Sequence, residues 1–182
     1  MKTLVLGGAR SGKSRRAEQI AASWLETPGH EALLLATAWA GDAEMAARIE
    51  RHRLDRAQRI PQLACEETPI ELPLAIRRHA APQRLLVVDC LTLWLTQCRM
   101  PPPGQAPQDA SRLETELVDA VAAAAGPIVL VSNEIGLGLL PMGREAREVV
   151  DALGHLHQRL AKVCDAVSLM VAGLPLHLKE AP

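Results

Sequence analysis

The sequence predicts an α/β fold in which a mainly parallel sheet is covered by helices on both faces. Short, continuous apolar runs recur along the chain, and such runs are typical of strands buried on both faces. Segments with helical periodicity separate these runs, as the crossover connections of parallel strands require. The chain of 182 residues shows no internal repeat and no clear boundary, so a single domain over 1–182 is expected.

The first half of the chain alternates predicted strands and helices up to an aspartate. Apolar residues recur at helical spacing from Ala17 to Trp24, which predicts a helix there. Asp42 precedes a polar, arginine-rich segment and is a suitable helix N-cap. The predicted elements are a strand over 3–6, a helix over 13–24, a strand over 32–36, a helix over 42–58, a helix over 70–79 and a strand over 85–88 that ends at Asp89.

Proline and glycine divide the second half of the chain. Three prolines and a glycine at 101–104 cannot continue a regular element, so 99–108 is predicted to be a surface loop. Gly126 and Pro127 close an alanine-rich helix. The predicted elements are a helix over 109–125, a strand over 128–131, a glycine-rich loop over 136–143, a helix over 144–163 and a strand over 167–171.

The composition excludes two classes of nucleic-acid partner. Twenty Lys and Arg against 21 Asp and Glu leave a net charge of −1, which argues against a generally basic binder. The chain has no Phe, no Tyr and three Trp, too few aromatic side chains for a platform that stacks single-stranded bases. We therefore expect no nucleic-acid partner.

The cysteines and the hydropathy pattern predict a cytoplasmic protein. Cys65, Cys90, Cys98 and Cys164 form neither a CxxC pair nor a zinc-ligand spacing, and are expected to be reduced thiols. No apolar run reaches the roughly 18 residues of a membrane span. A signal peptide is not expected, since a strand-like run follows the N-terminus directly.

The segment 7–14 fits the phosphate-loop pattern GxxxxGK[ST], with an apolar strand before it and a helix after it. Its glycines let backbone N–H groups turn toward phosphate oxygens, and the helix N-terminus adds positive potential. Lys13 can reach the terminal phosphates and Ser14 can bind Mg²⁺. The pattern predicts a P-loop NTPase-type fold with these nucleotide-binding residues: Gly7, Gly8, Ala9, Arg10, Ser11, Gly12, Lys13 and Ser14.

Asp89 supplies the acidic partner that a phosphate loop needs. It ends an apolar strand, at the edge where open α/β sheets bind ligands. It is predicted to hold the hydration shell of Mg²⁺ or to polarise an attacking hydroxyl; alternatively, it caps the next helix. The guanine-reading sequence NKxD and the switch sequence DxxG are absent, so a Ras-like GTPase is disfavoured.

The third informative segment is a histidine among arginines. Arg48, His52 and Arg56 are spaced four apart and share one face of the predicted helix. Such a cationic face suits a triphosphate, disfavours the imidazolium form of His52, and would make this ring a competent nucleophile. The alternative is a solvated basic face with an incidental histidine. His155 and His157 are two apart, face different sides of a helix, and are assigned no role.

Taken together, these segments resemble the family of bifunctional adenosylcobinamide kinases / adenosylcobinamide-phosphate guanylyltransferases of cobalamin biosynthesis. The resemblance covers nearly the whole chain. It rests on GGARSGKSRRAE at 7–18, ATA at 36–38, DAEMAARI at 42–49, HRLDR at 52–56, VDCLTLW at 88–94, SNEIGLG at 132–138 and VAGLP at 171–175.

The resemblance implies two reactions. An NTP, ATP or GTP, phosphorylates the aminopropanol hydroxyl of adenosylcobinamide, and GTP then donates GMP through a GMP–histidine intermediate. His52 falls on the guanylylated histidine, with Lys13 and Asp89 as further catalytic residues and Mg²⁺ as cofactor at Ser14 and Asp89. A corrinoid substrate and a homotrimer are also implied. The implied nucleotide contacts beyond the phosphate loop are Ala36, Thr37, Ala38, Arg53, Leu54, Asp55, Arg56, Asp89 and Glu67, with the adjacent Glu66 as an alternative.

Three segments depart from the family pattern. Residues 57–64 lack a tryptophan that is often present, the proline loop is particular to this chain, and His157 stands where relatives often have Asn. The alternatives to the bifunctional enzyme are a P-loop kinase of another small alcohol, without guanylyl transfer, and a non-catalytic nucleotide-binding protein. The sequence does not indicate which NTP drives the kinase step.

Overall fold

A computed structural model describes residues 1–101, 104, 106–139 and 141–180. Two predicted loops extend beyond these ranges. Pro102, Pro103 and Gln105 of the proline loop, and Leu140 of the glycine-rich loop, lie outside the described residues.

The described part of the chain contains seven strands and six helices, which alternate except for one pair of consecutive helices and one pair of consecutive strands. They are β1 (Lys2–Gly7), α1 (Lys13–Leu25), β2 (Glu31–Ala36), α2 (Ala43–Arg59), β3 (Ala64–Glu67), α3 (Leu72–His79), β4 (Arg84–Asp89), α4 (Leu91–Arg99), α5 (Ala110–Ala123), β5 (Ile128–Asn133), α6 (Arg144–Val163), β6 (Ala166–Val171) and β7 (Leu174–Lys179).

The strands form one sheet in the order β3-β2-β4-β5-β1-β6-β7. All pairs are parallel except β6 with β7, which form an antiparallel hairpin. β5 lies between β4 and β1, with Val131 opposite Asp89 and Asn133 opposite Gly7. The carboxyl ends of these three strands therefore meet at one edge, where sheets of this type bind ligands.

Alternate strand residues pack on opposite faces of the sheet, as the pleat requires. On one face, Leu130 and its neighbours join the buried sides of α3, α4, α5 and α6. On the other face, Val131 packs with Ala17 and Ala21 of α1. The predicted parallel sheet with helices on both faces is confirmed.

A core without Phe or Tyr is filled by branched aliphatic side chains and one large aromatic. Trp94 of α4 is fully buried, and its indole N–H donates to the Ile70 carbonyl at 2.9 Å. The indole N–H is the only polar group of the tryptophan side chain, and this hydrogen bond gives it a partner in the core.

Three elements are absent from the prediction, and two helix limits differ by two residues. β3 and the edge strand β7 have mostly exposed side chains and so lack a buried apolar pattern, while α4 is nine residues long and begins just after β4. The helix predicted over 70–79 begins at Leu72, and the helix predicted to 125 ends at Ala123. Asp42 is the N-cap of α2, as predicted, and its carboxylate accepts from the Met45 N–H at 2.7 Å.

In the described part of the chain, no helix combines the length and the apolar character needed to cross a membrane. All four cysteines are free, as predicted, and only Cys65 is exposed.

Candidate functional site

The phosphate loop connects β1 to α1, and its backbone requires glycine at two positions. Gly12 has φ +97°, which a residue with a side chain rarely adopts, and it is the N-cap of α1. A Cβ at Gly7 would collide with the hydroxyl of Ser11 and would lie 3.0 Å from the Met170 carbonyl oxygen. These two glycines allow the chain to turn tightly between strand and helix.

The turn of the β6–β7 hairpin packs against the phosphate loop. Ala172 and Gly173 have φ +53° and +81°, and the Gly173 N–H donates to the Ser11 carbonyl at 3.0 Å. A Cβ on Gly12 would lie 3.2 Å from the Gly173 Cα, so the two turns are in close contact. The phosphate loop is thus packed against the last hairpin of the chain.

Three features of the loop suit an anion. The hydroxyl of Ser11 is buried and has no hydrogen-bond partner among the described residues. The first turn of α1 contains no acidic residue, so the positive potential of the helix N-terminus is not neutralised. Lys13 folds back over the loop, with its ammonium group 3.2 Å from the Gly8 carbonyl oxygen. These donors are the ones that a phosphate group would use.

Asp89 ends β4 with its side chain partly buried. Burial raises the pKa of this carboxyl group, and the basic side chains of Arg56, Lys13 and His52 lower it in part. The net direction is upward, so Asp89 holds a proton more readily than an exposed aspartate does. The same interactions indicate that the basic face of α2 and the phosphate loop both approach the end of β4.

Thr37, just beyond β2, forms hydrogen bonds with the backbone of Asp89 and Cys90. It is fully buried; its N–H donates to the Asp89 carbonyl at 3.1 Å and its hydroxyl donates to the Cys90 carbonyl at 2.7 Å. The Thr37 hydroxyl also accepts from the Cys90 N–H at 2.8 Å, and the peptide bond between Asp89 and Cys90 is cis. The Thr37 side chain therefore fixes the position of Asp89, while Ala36 and Ala38 on either side are partly exposed.

α2 carries the predicted histidine on an exposed helix. None of its residues is buried, and His52 and Arg53 are exposed whereas Arg56 is half-buried. At its C-terminal end, Arg59 forms an ion pair of 2.9 Å with the buried Glu18 of α1. α2 therefore lies on the α1 side of the sheet, joined there by a single described ion pair.

The two candidate glutamates at the end of β3 differ in their surroundings. Glu66 lies 3.2 Å from a guanidinium nitrogen of Arg78 and 2.8 Å from Nε2 of His79. Glu67 is exposed and has no ion pair within the described residues. Both line a cavity of about 630 Å³ that continues along α3 and α5. This difference favours Glu67 as the carboxylate that remains available to a ligand.

The structure also contains a buried polar cluster that the sequence prediction missed. His157 of α6 lies with Nε2 2.7 Å from the Ser132 hydroxyl, which is 3.2 Å from the Thr92 hydroxyl. Its Nδ1 lies 3.7 Å from Glu134. Burial lowers the pKa of His157, and Glu134 partly opposes that change. The periodicity of α6 contained the signal, because position 157 falls on the same stripe as Leu153 and Leu160.

The described residues offer few candidate metal ligands. No group of three or more His, Cys, Asp or Glu side chains suited to a metal ion occurs in the described ranges. Ser14 and Asp89 supply oxygen donors of the kind that Mg²⁺ prefers, and Mg²⁺ usually completes its shell with water and substrate phosphates. The two residues therefore fit a metal that arrives with a nucleotide.

Comparison with known structures supports the fold. The flagellar accessory protein FlaH from Methanocaldococcus jannaschii superposes with a TM-score of 0.54 at 10% identity, over 99% of this chain and 78% of FlaH. The KaiC-like protein PH0186 from Pyrococcus horikoshii OT3 gives a TM-score of 0.52 at 12% identity, over 92% of this chain and 69% of that protein. At such low identity these similarities concern the fold alone.

Sequence comparison identifies the family. The bifunctional adenosylcobalamin biosynthesis protein CobP of Pseudomonas aeruginosa is 44% identical over 185 residues, covering 100% of this chain and 99% of CobP. CobU of Escherichia coli is 33% identical over 189 residues, covering 98% of this chain and all of CobU. The family model for cobinamide kinase / cobinamide phosphate guanyltransferase matches residues 3–178. The chain therefore belongs to the cobinamide kinase / cobinamide phosphate guanyltransferase family.

Proposed function

We propose that the protein phosphorylates adenosylcobinamide with an NTP and then transfers GMP from GTP to adenosylcobinamide phosphate through a GMP–His52 intermediate. The observation that carries the proposal is the phosphate loop at the start of α1 together with the Asp89 carboxyl at the end of β4, whose pKa the basic side chains of Arg56, Lys13 and His52 lower in part. Membership of the family supports this function over a kinase of another small alcohol, which no observation favours.

In the kinase step, Asp89 is the general base. The hydroxyl of the acceptor attacks the γ-phosphorus, its proton passes to the Asp89 carboxylate, and the nucleoside diphosphate leaves. The raised pKa of Asp89 supports this role because a stronger base accepts the proton more readily. Lys13 and the N–H groups of the phosphate loop stabilise charge on the phosphates. Mg²⁺ bound with the nucleotide near Ser14 and Asp89 would add further charge neutralisation.

In the guanylyl step, His52 is the nucleophile. A neutral imidazole nitrogen attacks the α-phosphorus of GTP, a P–N bond forms, and pyrophosphate leaves. A phosphate oxygen of adenosylcobinamide phosphate then attacks the same phosphorus, the P–N bond breaks, and His52 is released. Arg53 and Arg56 lie on the same helix and would stabilise the phosphates during both displacements. The exposure of His52 suits a group that must meet two substrates in turn.

The remaining assignments are part of the same proposal. Ala36, Ala38, Leu54, Asp55 and Glu67 contribute nucleotide contacts, and the protein acts in the cytoplasm. It forms a homotrimer, as the family resemblance implies. The exposed apolar strand β7 supports self-association, since Leu174 is 71% and Leu178 57% exposed.

The test is covalent labelling with [α-³²P]GTP. The wild-type protein should acquire a label that is acid-labile and base-stable, as expected for a phosphoramidate. His52→Ala should lose the label and guanylyl transfer, whereas His155→Ala, which alters an exposed histidine of α6, should keep both. An unlabelled wild-type protein, or a label that persists in His52→Ala, would contradict the proposal.

A further inference from the structure

We propose that Asn133, the last residue of β5, contacts the nucleotide: its carboxamide N–H donates to an oxygen of the terminal phosphate. The inference rests on the proposed function for the presence of an NTP in the phosphate loop. It assigns a role to a residue of the SNEIGLG segment at 132–138, to which none of the implied nucleotide contacts belongs. It concerns the part of the site between Gly7 and Asp89.

The strand register places Asn133 at the centre of the ligand edge. β5 is hydrogen-bonded to β4 on one side and to β1 on the other. Asn133 is opposite Gly7, where the phosphate loop begins, and Val131 is opposite Asp89. The Glu134 N–H donates to the Gly7 carbonyl at 3.1 Å, which extends this pairing past the end of the strand.

The pleat places Asn133 and Asp89 on the same face of the sheet. Val129 and Val131 pack with α1, and the next alternate residue of β5 is Asn133. In β4, Leu85 and Val87 pack in the same cluster, and the next alternate residue is Asp89. Both polar residues therefore extend apolar rows that end beside the N-terminus of α1, where Lys13 begins the helix.

The carboxamide of Asn133 is available to a ligand. The residue is half-buried, and its side chain makes no hydrogen bond with the part of the chain that is described, whereas its backbone N–H donates to the Thr92 hydroxyl at 2.8 Å. Its amide atoms are not among the fully buried polar atoms, so they remain open to a ligand. An adjacent phosphate oxygen would accept from its NH₂ group in a charge-assisted hydrogen bond.

The buried polar cluster on the opposite face keeps this position rigid. His157, Ser132 and Thr92 form a chain of hydrogen bonds, and Thr92 accepts from the backbone of Asn133. Thr92 also lies three residues after Asp89 in the sequence. The cluster thus joins the start of α4, just after Asp89, to the end of β5, and so helps to preorganise Asp89 and Asn133.

The test compares binding of a triphosphate with binding of a diphosphate. Guanosine 5′-[α,β-methylene]triphosphate and the corresponding diphosphate are titrated by calorimetry, because neither can guanylylate His52. Asn133→Ala should weaken triphosphate binding by roughly 10- to 100-fold, the effect of one hydrogen bond to a charged group, and change diphosphate binding less than twofold. Gln158→Ala, which removes an exposed amide of α6, should alter neither.

Two results would overturn the inference. One is wild-type affinity of Asn133→Ala for both nucleotides; the other is an equal loss for both, which would indicate a structural role. If Asn133→Ala does not fold, Asn133→Asp keeps the shape and should repel the triphosphate more than the diphosphate; equal affinities would overturn the inference as well. Failure of the proposed function is separate, since it appears as an absence of cobinamide turnover in the wild-type protein.

Discussion

At the residue scale, His157 makes stability depend on pH. Burial lowers the pKa of its imidazole in the folded protein, so the unfolded chain takes up a proton at a higher pH than the folded one. Stability should therefore fall as the pH decreases below the ordinary histidine value of about 6.5. Thermal midpoints between pH 7.5 and pH 5 should decrease in the wild-type protein and decrease less in His157→Asn.

His157→Asn introduces a polar side chain that can still form hydrogen bonds and cannot acquire a charge. Equal slopes of the midpoint against pH in the two proteins would show that His157 does not titrate in this range. His155→Asn, at an exposed position on the same helix, is the matched control and should retain the wild-type slope.

Asp89 should be required for kinase turnover and, when ionised, should lower the stability of the folded protein. Its pKa is raised in the folded state, so the contribution of its bound proton to stability is lost as the pH rises through that pKa. Asp89→Asn removes the charge with little change of shape. At pH 7.5 it should unfold at the wild-type temperature or above, while kinase turnover falls about 10²- to 10⁴-fold. A kinase rate within tenfold of wild type would exclude Asp89 as the base.

The residues of the site differ in how far the sequence predicts them. The phosphate loop is contiguous, so its pattern alone identifies Lys13 and Ser14. The bond between His157 and Ser132 joins residues 25 positions apart, which local spacing does not connect. Ion pairing at Glu66 likewise depends on α3, so the sequence names Glu67 but leaves the adjacent Glu66 as an alternative.

At the element scale, burial decides which strands and helices the sequence predicts. α6 begins and ends where its periodicity predicts, at Arg144 and Val163, because one stripe of the helix is buried. β7 is exposed along its whole length, so its sequence lacks the apolar pattern of a strand with a buried face. α4 is short and begins two residues after Asp89, so the apolar run around it carries little periodic information.

The ion pair between Arg59 and Glu18 should govern the placement of α2. Because no residue of α2 is buried, this pair replaces the apolar packing that anchors other helices. Arg59→Ala should reduce the rate of His52 guanylylation about fivefold, as expected for a partly buried pair worth about 1 kcal/mol, with nucleotide affinity within twofold of wild type.

The control for this prediction is Glu50→Gln, which removes an ion pair made within α2, to Arg53. It should leave the labelling rate within twofold of wild type. If Arg59→Ala labels at the wild-type rate, α2 must be positioned by other contacts. Hydrogen exchange of the α2 amides, measured on both variants, would report the same difference independently of the chemistry.

At the scale of the whole molecule, β7 should be covered by another copy of the chain. Leu174, Leu176 and Leu178 share one face of an edge strand and are all exposed, which a lone molecule in water would not favour. Light scattering should give a mass three times that of the 19.6 kDa chain. Leu176→Asp should lower that mass, whereas His177→Asp, on the opposite face of the strand, should not. A wild-type mass of one chain would contradict the proposed trimer.

The contact between Ser11 and Gly173 also has a consequence for biosynthesis. The ribosome makes the phosphate loop well before the hairpin turn that supports it, so the two can meet only after residue 173 has been added to the chain. A nascent chain stalled before residue 172 would contain the whole phosphate loop but not the hairpin turn that supports it. Such a chain should bind nucleotide weakly until β7 has been made.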